Sequence, residues 1–180
     1  GIRSLEHIKE IITAGAEKVV INTIAIKNPD IIIKAKNLFG SQCIIISIDV
    51  LETKNGYEVF SECGSIATGL CPIQWAKDAE KLGAGEILIN SINHDGMMEG
   101  YNIKLIKKVA KAVSVPVIAT GGARNLDDFI SAIKEGGASA VAAGSIFHYT
   151  KFTPNMIKGA LIEAGIPVRV YHDIDYRFEY

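Results

Sequence analysis

Val115-Pro116-Val117-Ile118-Ala119-Thr120-Gly121-Gly122-Ala123 is the stretch on which the fold turns. Its first five residues form a strand-sized apolar run, and the Gly-Gly pair closes that run in a turn. A helix-period segment, Leu126–Lys134, follows at once. Outward from this point the same unit recurs: apolar strand, a turn rich in Gly, Asn or Asp, then a helix. Strands are expected at Lys18–Asn22, Cys43–Asp49, Glu86–Asn90, Val115–Ala119 and Ser139–Gly144. Each is nearly continuous in Val, Ile or Ala, as strands covered on both faces are. Helices are expected at Ser4–Thr13, Pro29–Leu38, Pro72–Leu82, Ile103–Val113, Leu126–Lys134 and Thr153–Ala164. Ala14-Gly15-Ala16, Gly83-Ala84-Gly85 and Gly136-Gly137-Ala138 read as helix C-caps leading into the next strand.

This alternation is that of βαβ units on a parallel sheet. Five units of about 30 residues fall short of the roughly 250 residues of a closed eight-stranded barrel. The expectation is an α/β chain whose residues 1–169 form part of a (βα)8 TIM barrel, strands four to eight, with about three units ahead of Gly1. The alternative left open by periodicity is a complete doubly wound sheet of five strands. Asn55-Gly56-Tyr57-Glu58-Val59-Phe60 predicts a small hairpin inserted in a βα loop, where active-site loops are built.

With 180 residues and 48% hydrophobic content the chain can bury a proper core. A net charge of −1 with scattered lysines leaves no footprint for nucleic acid, and no basic amphipathic stretch suits a membrane surface. The apolar runs are too short to span a bilayer, so a cytoplasmic protein is expected. Cys43, Cys63 and Cys71 lack metal-ligand spacing, so neither a metal nor a cofactor is expected.

Every polar or glycine cluster of interest falls at the C-terminal end of a strand, where parallel α/β folds build their sites. Thr120-Gly121-Gly122-Ala123 and Ala143-Gly144-Ser145 end the last two strands, and Ile146–Phe147 after them fits one helical turn. Together they fit a phosphate site made of backbone N–H groups; each alone is also ordinary turn chemistry. Asn22-Thr23 fits a second anion site or a simple helix cap. Asp49 fits either acid–base use, its pKa raised by burial, or a structural cap. Asp95-Gly96 by itself reads as a turn.

Longer runs carry a resemblance. Gly40-Ser41-Gln42-Cys43 leading into Ile46-Ser47-Ile48-Asp49, Gly83 to Leu88, Asp95-Gly96 with Gly100-Tyr101, Pro116 to Ala123, Ser145-Ile146-Phe147-His148 and Gly165-Ile166-Pro167-Val168-Arg169 all resemble the cyclase subunit of imidazole glycerol phosphate synthase. The likeness runs in one register from Gly1 to about Arg169. It implies a lyase-type cyclase that takes ammonia and a ribulosyl formimino-aminoimidazole carboxamide nucleotide carrying two phosphates. The products would be imidazole glycerol phosphate and the aminoimidazole carboxamide ribonucleotide. Two aspartates share the acid–base work in that family; Asp49 matches the second, and the first belongs to a strand ahead of Gly1. The matching also implies that Gly1, Asn22 and Thr23 serve one phosphate, that Asp95, Gly96, Gly121, Gly122, Gly144 and Ser145 serve the other end of the substrate, and that Thr68 lies near Asp49. A glutaminase partner, docked as a heterodimer on the opposite face, is implied as the ammonia source, with Lys18 and Glu86 in a charged gate. By position alone that pair also reads as a stabilising ion pair.

Departures from the family pattern are specific. Asn93-His94-Asp95-Gly96-Met97-Met98 stands where the family shows Asp-Arg-Asp-Gly-Thr-Lys, Val50-Leu51 replaces a small-then-basic pair, and Arg124 replaces a common glycine. Such changes suit a paralogue that passes ammonia to a sugar in surface-polysaccharide amidation. The related ribonucleotide isomerase and a non-catalytic partner that only docks a glutaminase are further readings. Residues 170–180 lie beyond the resemblance and read as a strand or a disordered tail of unknown role.

Overall fold

A computed structural model of the chain describes residues 1–169, so the tail at 170–180 lies outside the described residues. In chain order the elements are α1 (Leu5–Thr13), β1 (Val19–Ile21), α2 (Thr23–Lys27), α3 (Asp30–Phe39), β2 (Ile44–Thr53), β3 (Gly56–Ser61), β4 (Ile66–Ala67), α4 (Pro72–Leu82), β5 (Glu86–Ser91), α5 (Ile103–Ala110), β6 (Val117–Thr120), α6 (Leu126–Lys134), β7 (Ala140–Val141), α7 (Ser145–Tyr149) and α8 (Pro154–Glu163). The helix starts are locally encoded. Ser4 Oγ accepts from the His7 N–H at 3.2 Å, and Asn125 and Asp128 exchange bonds in a capping box. Gly83, at φ +118°, ends α4 and turns the chain toward β5.

β1, β2, β5, β6 and β7 are parallel and pair strictly in chain order. A doubly wound sheet reverses its strand order at a switch point, so that alternative is excluded; progression in one direction belongs to a barrel wall. Burial agrees. Ile44, Ile46, Ile48, Val50, Ile87, Ile89, Val117 and Ala119 are sealed on one side of the sheet, whereas Ser47, Asp49, Leu88, Asn90, Ile118 and Thr120, which alternate with them, stay partly open on the other. Helices α1, α3, α4, α5 and α6, which pack on the strands, cover the sealed face, and the second face is an inner wall.

Four expectations are corrected. Asp49 does not end its strand: β2 continues to Thr53, because Asp49–Thr53 pair antiparallel with β3 across the two-residue loop Lys54-Asn55. β2 thus gives the lower part of one edge to β1, through Ile44–Ile46, and the upper part to the hairpin. The extra helix α2 stands between β1 and α3, where the sequence pattern predicts no helix before Pro29. The strand expected at Ser139–Gly144 shrinks to Ala140–Val141, and the helix expected to reach Val113 stops at Ala110.

Candidate functional site

Strand register builds the inner wall in rows. Asp49 pairs with Asn90, and Asn90 with Thr120, so these three polar residues stand side by side, midway along β2 and near the C-terminal ends of β5 and β6. Adjacent strands are about 4.8 Å apart, so the row spans roughly 10 Å. Ser47, Leu88 and Ile118 form the row below, and Ile45 pairs with Glu86 lower still.

Asp49 is the half-buried carboxyl of this wall. Asn22 Nδ2 donates to its Oδ2 at 2.8 Å and Ser47 Oγ donates to its Oδ1 at 3.4 Å. Burial pushes the carboxyl above the usual carboxylate range; hydrogen bonds from Asn90, Asn22 and Ser47 hold it back in part, and the charge of Asp95 adds to the rise. The result is a group disposed to keep a proton longer than an ordinary aspartate. Such a group is suited to act as an acid or a base.

A small cavity of about 340 Å³ opens beside Thr120, and its lining unites six residues singled out in the sequence: Asp95, Gly96, Gly121, Gly122, Gly144 and Ser145. Two glycines are required by geometry. Gly121 (φ +87°) and Gly122 (φ +104°) hold backbone conformations that other residues rarely adopt, and a Cβ on Gly122 would stand 2.3 Å from the Gly100 carbonyl oxygen. That close approach is stitched by the Gly100 N–H donating to the Gly122 carbonyl at 2.7 Å. The loop that leads to Gly100 is fixed further, since the His94 ring meets the Gly100 carbonyl at 2.7 Å and Asn93 Oδ1 accepts from the Glu52 N–H at 2.7 Å. A small polar cavity lined by glycine turns is suited to an anion.

A larger, open cleft of about 1540 Å³ takes in Gly1, Asn22, Thr23, Ser47 and Asp49, together with Arg3, Lys27, Glu62 and Cys63. Four more of the expected site residues thereby share one surface. Lys18 and Glu86 are ion-paired, with Glu86 on the inner wall four residues below the level of Asp49. Thr68 lines neither space; its hydroxyl donates to the Val59 carbonyl at 2.7 Å and accepts from the Leu70 N–H, closing the base of the hairpin.

Sequence reading missed three residues at the site. Asn90 reads in the sequence only as a strand end, whereas the register of β5 turns it inward beside Asp49. Its Oδ1 is buried with no hydrogen-bond partner and would stand 2.5 Å from a Cβ on Gly121, so it links the carboxyl row to the glycine turn. Lys27 and Glu62 meet as an ion pair on the rim of the cleft, but they sit 35 positions apart and belong to α2 and to the turn after β3, neither of which the sequence marked. Among the described residues no group of three or more His, Cys, Asp or Glu is placed to hold a metal ion, and no helix is long and apolar enough to cross a membrane. Compared with known families, residues 1–153 match a family model described as "Histidine biosynthesis protein".

Proposed function

Since the chain belongs to the histidine biosynthesis protein family, whose sheet is the wall of a TIM barrel, we propose that it is an ammonia-using cyclase of the imidazole glycerol phosphate synthase type. The observation that carries this reading is the single polar row Asp49-Asn90-Thr120, with the glycine-lined cavity at one end and the Asn22–Thr23 cleft at the other. A substrate with a phosphate at each end could bridge the two, its reacting atoms above Asp49.

Each group then has a chemical task. Amides of the Gly121–Gly122 turn and of the Gly144–Ser145 turn hold one phosphoryl group. Asp95 lines the same cavity, but a carboxylate repels an anion and accepts from hydroxyls, so it binds the polyol hydroxyls beside that phosphate. Gly1, Asn22 and Thr23 hold the second phosphate. Asp49, whose hold on a proton burial strengthens, gives a proton to the nitrogen that leaves as ammonia is incorporated and the ring closes, and Asn22 fixes its orientation. Lys18 and Glu86 gate ammonia delivered by a glutaminase from the opposite face.

One observation favours a second reading, transfer of ammonia to a sugar. Asn93 and His94 are engaged within their own loop, Met97 is exposed and Met98 lines the cavity, so the substrate side of this loop offers few polar groups besides Asp95. Complementation separates the readings. The gene should restore growth to a histidine-requiring strain that lacks the cyclase, and Asp49→Asn should abolish the rescue. Growth only in a strain lacking the isomerase, or rescue indifferent to Asp49, would overturn the proposal; rescue in neither strain favours the sugar-directed paralogue.

A further inference from the structure

Thr23 and Lys27 lie one turn apart on α2 and so share a face. Both grip the same residue: Thr23 Oγ1 accepts from the Glu62 N–H at 3.0 Å, and Lys27 Nζ is ion-paired with the Glu62 carboxylate. Arg3, also on the rim of the cleft, acts on Glu62 through its charge, and Lys27 with Arg3 holds that carboxyl below its usual range. The turn that presents Glu62 is under tension. Glu62, Cys63 and Gly64 are three successive left-handed residues, at φ +51°, +58° and +77°, and two of them have side chains that disfavour the conformation. Its contacts with α2 therefore hold it on the rim.

We propose that Glu62 is an internal stand-in for the substrate's anion: its carboxylate pairs with Lys27 in the free protein, and a phosphomonoester entering the cleft displaces it. Lys27, assisted by Arg3, is thus a phosphate-recognition residue, and the turn after β3 is a latch that opens as the ligand binds. This rests on the phosphate reading of the Asn22–Thr23 cleft. A dianion out-competes a monoanion for an ammonium, and an exposed pair with both partners 40% or more accessible exchanges at little cost. Release of the turn also relieves its left-handed residues and frees the Thr23 hydroxyl for the ligand.

The test is titration of the full chain with inorganic phosphate, followed through the backbone amide resonances of Asn22 and Thr23 for the cleft and of Gly121, Gly122 and Ser145 for the glycine cavity. Glu62→Gln should tighten binding at Asn22 and Thr23 about two- to fivefold. Lys27→Gln should weaken it by a similar factor, and the double variant should behave as Lys27→Gln alone. The cavity resonances serve as a folding control and should respond alike in every variant. An unchanged affinity at Asn22 and Thr23 in Glu62→Gln, or a gain that persists without Lys27, overturns the latch. Failure of the underlying phosphate reading is distinguishable, because the Asn22 and Thr23 amides would then show no response even in the unaltered protein.

Discussion

Replacing Gly122 by alanine tests the glycine cavity where its geometry is tightest. The backbone at φ +104° costs an L-residue about 1–2 kcal/mol or more. The new Cβ meets a backbone oxygen at 2.3 Å, which no rotamer change can relieve. The two loops must part, weakening the 2.7 Å Gly100–Gly122 bond, worth about 1 kcal/mol. Together these predict a loss of about 2–4 kcal/mol. Gly144→Ala is the matched control: Gly144 lines the same cavity, its φ is −127°, and a Cβ there meets nothing within 4 Å. It should shift stability by less than about 0.5 kcal/mol. Urea unfolding followed by the fluorescence of Trp75, the single and buried tryptophan, measures both. Phosphate titration of the folded variants should show binding at the cavity lost in Gly122→Ala. Equal stability of the two variants would refute the close-approach argument, and normal phosphate binding by Gly122→Ala would refute the cradle.

Asp49→Asn should lower turnover at least about 100-fold while leaving the fold intact. Because burial raises the Asp49 pKa in the folded state, the folded protein binds the proton more tightly than the unfolded chain; its contribution to stability is present below the ordinary carboxylate value and is lost as pH rises through the raised one. Stability–pH curves of the native protein and Asp49→Asn should therefore diverge across that window, and parallel curves would count against the buried carboxyl. Asn22→Ala removes a bond that holds the Asp49 pKa down, so the alkaline limb of the rate–pH profile, where the acid loses its proton, should move to higher pH; an unmoved limb would deny Asn22 that part. Lys18→Met should cost less than about 1 kcal/mol, since the ammonium is substantially exposed, and should depress glutamine-supported turnover more than ammonium-supported turnover. An equal effect on both would make the pair merely structural.

The glycine cavity was legible in the sequence because its signals are local: a Gly-Gly or Gly-Ser turn must follow its own strand wherever that strand goes. The parallel sheet was legible for the same reason, through runs such as Ile44–Ile48 and Ile87–Ile89. The course of β2 past Asp49 was not. Val50 and Leu51 are as strand-compatible as the residues before them, and whether the chain turns or continues depends on an edge that β1 leaves free above Ile46. Asn90 stayed hidden because only cross-strand register turns it toward Asp49. The Lys27–Glu62 pair depends on two segments brought together by the hairpin, which no spacing within either segment reveals.

The shared edge of β2 separates two structural jobs. The height of Asp49 on the wall is set by β1 below and by β5 alongside, through Ile44–Ile46 and Ile45–Val50, whereas the hairpin is zipped onto the strand only from Asp49 upward. Its Lys54-Asn55 tip can accordingly be lengthened, shortened or exchanged for another sequence without re-registering the carboxyl. Substrate preference can thus drift by grafting at the rim while the reacting group keeps its position, an arrangement that favours divergence of one scaffold toward new acceptors.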